Sequence, residues 1–165
     1  MSVRVDRMNW RVDKEDILVV EREAFPPNMH SDERDLFQYV RDGYGLVVRR
    51  HGIIRRGTID GYVVAVPLER VSYKGCQDDV DRGLKNSAYV ESLAIRPEAQ
   101  PSIFMDLVTE LRETLIKEGF RKVKMHVPVD EKLYNGLIAF GARELGRFGN
   151  FMGWGKTFAY LEFQL

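Results

Sequence analysis

The chain has 165 residues and a mass of 19.1 kDa, and its 44% of hydrophobic residues suit one compact domain over 1–165 with a single core. Its 25 Lys and Arg balance 25 Asp and Glu, so no overall field selects nucleic acid or an anionic membrane as partner. A single cysteine, Cys76, excludes an internal disulfide framework and a zinc site of several thiolates. With no apolar signal region near its start and no run of about 18 apolar residues, the sequence predicts a cytoplasmic protein that spans no membrane.

Residues 3–10 predict a first strand. Asp13 then reads as the cap of a helix with Ile17, Val20, Ala24 and Phe25 on one face and Asp16 at the capping-box position, and Pro26-Pro27 ends it. A second helix is predicted from Ser31, with Asp32 and Glu33 at the positive end of its dipole, to Gly43. Residues 44–50 and 59–68 are rich in Val, Tyr and Ile and read as a hairpin with a basic connection. Residues 70–87 are polar and aperiodic, which predicts a long loop and makes it a candidate gate for a substrate.

Residues 88–95 form an apolar strand that runs up to Pro97. From 101 to 119, Ile103, Phe104, Leu107, Val108, Leu111, Leu115 and Ile116 recur at helical spacing, with Pro101 in the first turn and Gly119 as the stop. Val123, Met125 and Val127 alternate over 122–127, so strand, helix and strand predict a right-handed crossover with parallel pairing. A short helix near 131–140 and strands at 143–151 and 157–164 complete the order β, α, α, β, β, β, α, β, α, β, β.

The unusual residue is Glu91. Alternation puts it on the face of Tyr89, Leu93 and Ile95, while Val90, Ser92 and Ala94 take the other, so an acid sits in a strand apolar on both faces. Two readings follow: a carboxylate of raised pKa able to take a proton near neutral pH, or a structural acid paired with a nearby Arg or a backbone donor.

The run Ser92-Leu-Ala-Ile-Arg-Pro-Glu-Ala-Gln100 and the element order resemble the GNAT family of acyl-CoA-dependent N-acetyltransferases over nearly the whole chain. The resemblance implies an α/β fold with a mixed, mostly antiparallel sheet, parallel and splayed central strands 4 and 5, and helices on both faces. It implies acetyl-CoA as co-substrate and a small-molecule or peptide amine as acceptor, in a monomer or homodimer. Leu93, Ala94, Ile95, Pro97, Glu98 and Gln100 fall on the family's strand-4 pattern, which places the pantetheine and acyl arm along Leu93, Ala94 and Ile95. The pyrophosphate then falls against Gln100, Pro101, Ser102, Ile103 and Phe104, and Asn135 stands near the family's pantetheine-contacting Asn. Two departures stand out. The family's first loop glycine falls on Ile103 and its second small residue on Met105, and the position of its catalytic Tyr falls on Leu137, with Tyr134 one helical turn away. Glu91 as base and Tyr134 as acid are the catalytic candidates, and the alternative is a recognition or regulatory module of the same fold that has lost acetyl-CoA.

Other signals carry less. Arg49, Arg50, His51, Arg55 and Arg56 form a basic cluster that fits either a solvated hairpin tip or a nucleic-acid-directed modifier. Gly155-Lys156-Thr157 matches the end of a P-loop, but Asn150 stands where glycine is required. His30, His51 and His126 lack metal-ligand spacing, so no metal is expected, and Cys76 reads as an exposed thiol without a nucleophile's surroundings.

Overall fold

The computed structural model describes residues 3–50 and 58–165 of the chain. Its elements are β1 (Val3–Arg7), α1 (Trp10–Ala24), α2 (Glu33–Asp42), β2 (Tyr44–Arg50), β3 (Ile59–Pro67), β4 (Ser87–Ile95), α3 (Ser102–Lys117), β5 (Lys122–Pro128), α4 (Lys132–Ala139), β6 (Arg143–Phe148) and β7 (Phe158–Gln164). Single 3-10 turns lie at Pro27–Met29, Leu68–Arg70 and Phe151–Gly153. The strands form a seven-stranded sheet in the order β1-β2-β3-β4-β5-β7-β6. The parallel pair is β4–β5, with Ser87–Tyr89 registered on Lys122–Lys124, while β1–β2, β2–β3, β5–β7 and β6–β7 are antiparallel. By compactness the chain divides into two units, residues 1–65 with 91–114 and residues 66–90 with 115–165.

In the first unit, Ile17 and Val20 of α1 and Leu36 of α2 pack with Val47, Ile59, Tyr62, Val64 and Ala94 from three strands. α1 begins at Trp10, earlier than the acidic residues suggest, because Asp13 is used differently. Its carboxylate accepts the Asn9 N–H at 2.8 Å and the Arg49 guanidinium at 2.6 Å. The predicted cap is thus a buried acid inside the first turn. α2 starts at Glu33, two residues after the predicted Ser31, with Asp32 as N-cap accepting from the Asp35 N–H at 2.8 Å. Glu21, fully buried on α1, accepts the Tyr62 hydroxyl and, at 2.7 Å, the Ser31 N–H, and Tyr62 is 2.9 Å from the Ser92 hydroxyl. Burial and the Glu21 carboxylate hold the Tyr62 phenol protonated far above its ordinary range.

In the second unit, the loop at 70–87 is fastened, not free. Lys124 on β5 has a side chain 0% exposed, and its ammonium donates to both Asp79 oxygens at 2.5 and 2.6 Å and to Asp81 at 2.7 Å. Glu162 of β7 lies 3.1 Å away as an ion pair, Lys122 reaches Asp81 at 2.9 Å, and Arg143 reaches Glu162 at 2.8 Å. Arg82 gathers the loop from within by donating to the carbonyls of Leu68, Val71, Cys76 and Glu69. Cys76 is buried, which corrects the expectation of an exposed thiol: the strapped loop folds it inward. β6 stops at Phe148, short of the predicted Phe151, because Asn150 and Met152 take left-handed backbone angles (φ 46° and 54°) and turn the chain.

Removing Lys124 leaves three buried carboxylates facing one another. Lys124→Met is therefore expected to destabilise the protein by roughly 3–5 kcal/mol in urea titrations. Burial alone would raise the Asp81 carboxyl, but hydrogen bonds from Lys124 and Lys122 outweigh it and bring it down to about 2. Its contribution is present above the ordinary carboxylate value of about 4 and is lost as pH falls through about 2, so the acid limb of wild-type stability should flatten in Lys124→Met.

Candidate functional site

The predicted contact residues of the first unit form one continuous stretch from the second half of β4 into α3. Glu91 is half-buried, not enclosed, because it sits where β4 changes from a fully buried run to alternating exposure; Leu93 and Ile95 share its partial exposure while Ala94 is in the core. After Ile95 the chain turns, with the Arg96 N–H donating to the Asp60 carbonyl at 2.8 Å and the Ala99 N–H to the Arg96 carbonyl at 3.0 Å. The Arg96 side chain is committed as well, to the Ile59 carbonyl at 2.8 Å and to Glu23 at 2.7 Å, so this cation serves the turn and not a phosphate.

Gln100, Pro101 and Ser102 are exposed at the start of α3, and Phe104 is half-buried. The two departures from the family loop have opposite fates. Ile103 is fully buried, and a Cβ placed on Gly61 of β3 would lie 3.4 Å from its Cγ2 and 3.0 Å from the Ala94 carbonyl. Its bulk is turned into the core, in room that Gly61 leaves open. Met105 points outward and is 45% exposed. Of the two, only Met105 therefore stands on the outside of the first turn of α3. Gln100 also lines a cavity of about 180 Å³ with Val3, Arg50, Asp60 and Glu98, where two carboxylates face one guanidinium that is already bidentate to Asp60 at 2.7 and 2.9 Å. That lining does not attract an anion.

The remaining predicted residues, Tyr134 and Asn135, lie on α4 in the second unit, Asn135 exposed. The Tyr134 hydroxyl donates to Glu144 at 2.5 Å and accepts from Arg147 at 3.0 Å. The bond to Glu144 raises its pKa, so the phenol stays protonated at neutral pH, with its proton directed at Glu144. Leu137 is buried.

The basic cluster is largely spent where it is described. Arg49 pairs with the buried Asp13 and with Asp6, and Arg50 with Asp60. His51, Arg55 and Arg56 lie outside the described residues. No helix among the described residues is long and apolar enough to cross a membrane.

His126 escaped the sequence reading, which weighed it only as a metal ligand. On β5 its imidazole stacks on Phe151 (centroids 4.3 Å, 20° between planes) and on Tyr160 (4.7 Å, 16°), with Tyr73, Tyr89 and Phe148 around it. Nδ1 is 2.8 Å from the Tyr89 hydroxyl and Nε2 is 2.9 Å from the Lys74 carbonyl. Burial pushes its pKa down to about 4, so the ring is neutral at pH 7. The signal was available: strand alternation puts His126 on the face of Lys124, which the apolar positions of β5 leave for polar side chains.

No family model matches the sequence, and no curated protein matches it. Solved structures match in fold. NAA60 of Arabidopsis thaliana, solved with a bisubstrate analogue, superposes with a TM-score of 0.75 at 14% identity, covering 99% of both chains. The ribosomal-protein-S18-alanine N-acetyltransferase of Escherichia coli gives 0.74 at 12% identity over 99% of this chain and 94% of that one. An IAA acetyltransferase of Bacillus cereus gives 0.68 at 17% over 99% and 100%. At such identities the likeness establishes the fold, the GNAT fold that the β4 run anticipated.

The contrast between the two loop residues can be measured. Ile103→Ala should cost roughly 2–4 kcal/mol of stability by opening a cavity in the core, whereas Met105→Ala should stay within about 0.5 kcal/mol in the same denaturant titration.

Proposed function

We propose that this chain, which has the fold of the GNAT acetyltransferases, acts over residues 1–165 as one acyltransferase domain that moves an acetyl group from acetyl-CoA to an amine in the cytoplasm. The observation that carries the reading is the continuous stretch from Glu91 to Phe104, in which a partly exposed strand with an acid in it runs through a tight turn into the start of α3. In this reading Leu93, Ala94 and Ile95 offer backbone groups to the pantetheine and acyl arm, and Gln100, Pro101, Ser102, Ile103 and Phe104 line the pyrophosphate with their backbone, Ile103 leaving the approach clear because its side chain faces inward. Asn135 contacts the pantetheine.

Glu91 takes a proton from the incoming amine, and a backbone N–H on β4 such as that of Leu93 stabilises the tetrahedral oxyanion. Tyr134, on turning its hydroxyl away from Glu144, supplies a proton to the departing sulfur. Holding the amine against the thioester provides much of the acceleration, so little covalent help is needed from the protein. The acceptor is a small-molecule or peptide amine. Peptide α-amines are the first to try, since the matched structures include two enzymes named for a ribosomal-protein alanine and a complex bound to Gag peptide.

A second reading, a recognition or regulatory module without acetyl-CoA, is favoured by Met105 on the exposed surface of the first turn and by the carboxylates beside Gln100. Thermal melts separate the two. Acetyl-CoA at a hundred times its dissociation constant should stabilise the enzyme by about 2.7 kcal/mol and raise its melting temperature. No shift at millimolar acetyl-CoA would leave the module reading standing. Met105→Gly, by opening the first turn, should enlarge the shift. In transfer assays Glu91→Gln should slow turnover by roughly a hundredfold and flatten its pH dependence; an unchanged profile removes Glu91 from the mechanism.

A further inference from the structure

Past Tyr89, β4 loses one of its two neighbours. Among the described residues its register with β5 covers Ser87–Tyr89 against Lys122–Lys124, whereas β3 stays beside it, and the Arg96 N–H still reaches the Asp60 carbonyl at 2.8 Å just beyond its end. Glu91 and the Leu93 N–H lie on this one-sided length. A strand held along one edge can tilt about that edge unless a side chain anchors it. We propose that Ser92 is the positioning residue of this length, fixed through Tyr62 to Glu21 within the first unit, an inference that rests on the acetyl-transfer reading given above.

The hydrogen bonds of this chain have a direction. Glu21 on α1, Tyr62 on β3 and Ser92 on β4 are all buried. The Tyr62 hydroxyl directs its single proton at Glu21 Oε2, and burial beside that carboxylate keeps the proton on the phenol. The phenol oxygen is left to accept, so the Ser92 Oγ–H, 2.9 Å away, is the donor. The other Glu21 oxygen accepts the Ser31 N–H at 2.7 Å, which keeps the carboxylate from turning away from the phenol. Three side chains on three elements are thereby fixed in sequence, out of reach of water. Residues 21, 31, 62 and 92 all belong to the first unit, so the chain needs nothing from the second.

Ser92 Cα is one of the two atoms that bound the peptide plane carrying the Leu93 N–H. Leu93 is itself only half-buried, so the aim of that N–H is set by the anchored Ser92 before it and by Ala94, packed in the core, after it. A donor that is to meet a tetrahedral oxyanion has to be aimed before the charge appears, because reorienting it during the reaction cancels part of its effect. The oxyanion exists only in the transition state, so a misaimed donor slows turnover and leaves acetyl-CoA binding as it was. Alternation puts Ser92 with Val90 and Ala94, on the face opposite Glu91. Its hydroxyl therefore acts through the backbone of β4 and touches no ligand.

The test uses the full chain with Ser92→Ala, which removes one oxygen, and Ser92→Thr, which keeps the hydroxyl. Both should melt close to wild type and be stabilised by acetyl-CoA as wild type is. CoA-thiol release is followed with acetyl-CoA and a tetrapeptide bearing a free α-amine. In Ser92→Ala kcat should fall by roughly tenfold with the KM for acetyl-CoA unchanged, and Ser92→Thr should recover most of the loss. In amide spectra of the free protein the Leu93 signal should be sharp in wild type and shifted or broadened in Ser92→Ala. Turnover of Ser92→Ala at the wild-type kcat, a loss carried by KM in place of kcat, or a Leu93 signal that Ser92→Ala leaves unchanged overturns the positioning role alone. A wild type that binds acetyl-CoA but acetylates neither this peptide nor other amines overturns the acetyl-transfer reading and the positioning role with it.

Discussion

A charge taken out of water has to meet a partner, and in this protein that requirement decides where the least regular part of the chain lies. Lys124 is enclosed on β5, and the cost of enclosing an ammonium is offset only when carboxylates surround it. Two of these, Asp79 and Asp81, come from the 70–87 loop, so the loop is drawn onto β5 and β7 by electrostatics where it has few apolar residues to bury. Once it is fixed, Lys74 presents its carbonyl to His126 and Tyr73 packs against the same ring. The geometry of the imidazole is thus downstream of the ion cluster around Lys124.

The first unit solves the same problem with hydrogen bonds. Glu21 is enclosed and receives a phenol and a backbone N–H. The donors come from β3 and from the segment between α1 and α2, so one carboxylate ties that segment to the sheet. Asp13 and Arg49 act in the same way at the other end of α1. These polar contacts set the positions of helices whose apolar faces alone would allow sliding.

Much of the architecture was legible in the sequence. Strand alternation, the long amphipathic pattern from 101 and the strand-4 run were enough to give element order, parallel β4–β5 pairing and the fold. What was hidden depends on partners far away in sequence. Asp13 looked like a helix cap because its neighbours fit one, and nothing local reveals Arg49. The loop looked like a gate because polarity without period is what a mobile segment shows, and its carboxylates are matched only by lysines about forty residues on. His126 looked idle because metal spacing was the only question local sequence could put to it. At the candidate cofactor loop, the sequence located the departures at Ile103 and Met105 but could not say which way either side chain points.

Ile103 packs beside Gly61, at a place where β3 also comes close to the Ala94 carbonyl and Ile95 of β4. A side chain on β3 here would press first on the Ala94 carbonyl at 3.0 Å and on Ile95 at 3.2 Å, and a smaller residue at 103 would leave a void. Ile103 stands where the resemblance expects a loop glycine, and the backbone beside it on β3 is itself a glycine. The turn before α3 is therefore held in part by residues on two different elements, a partnership that no local motif records.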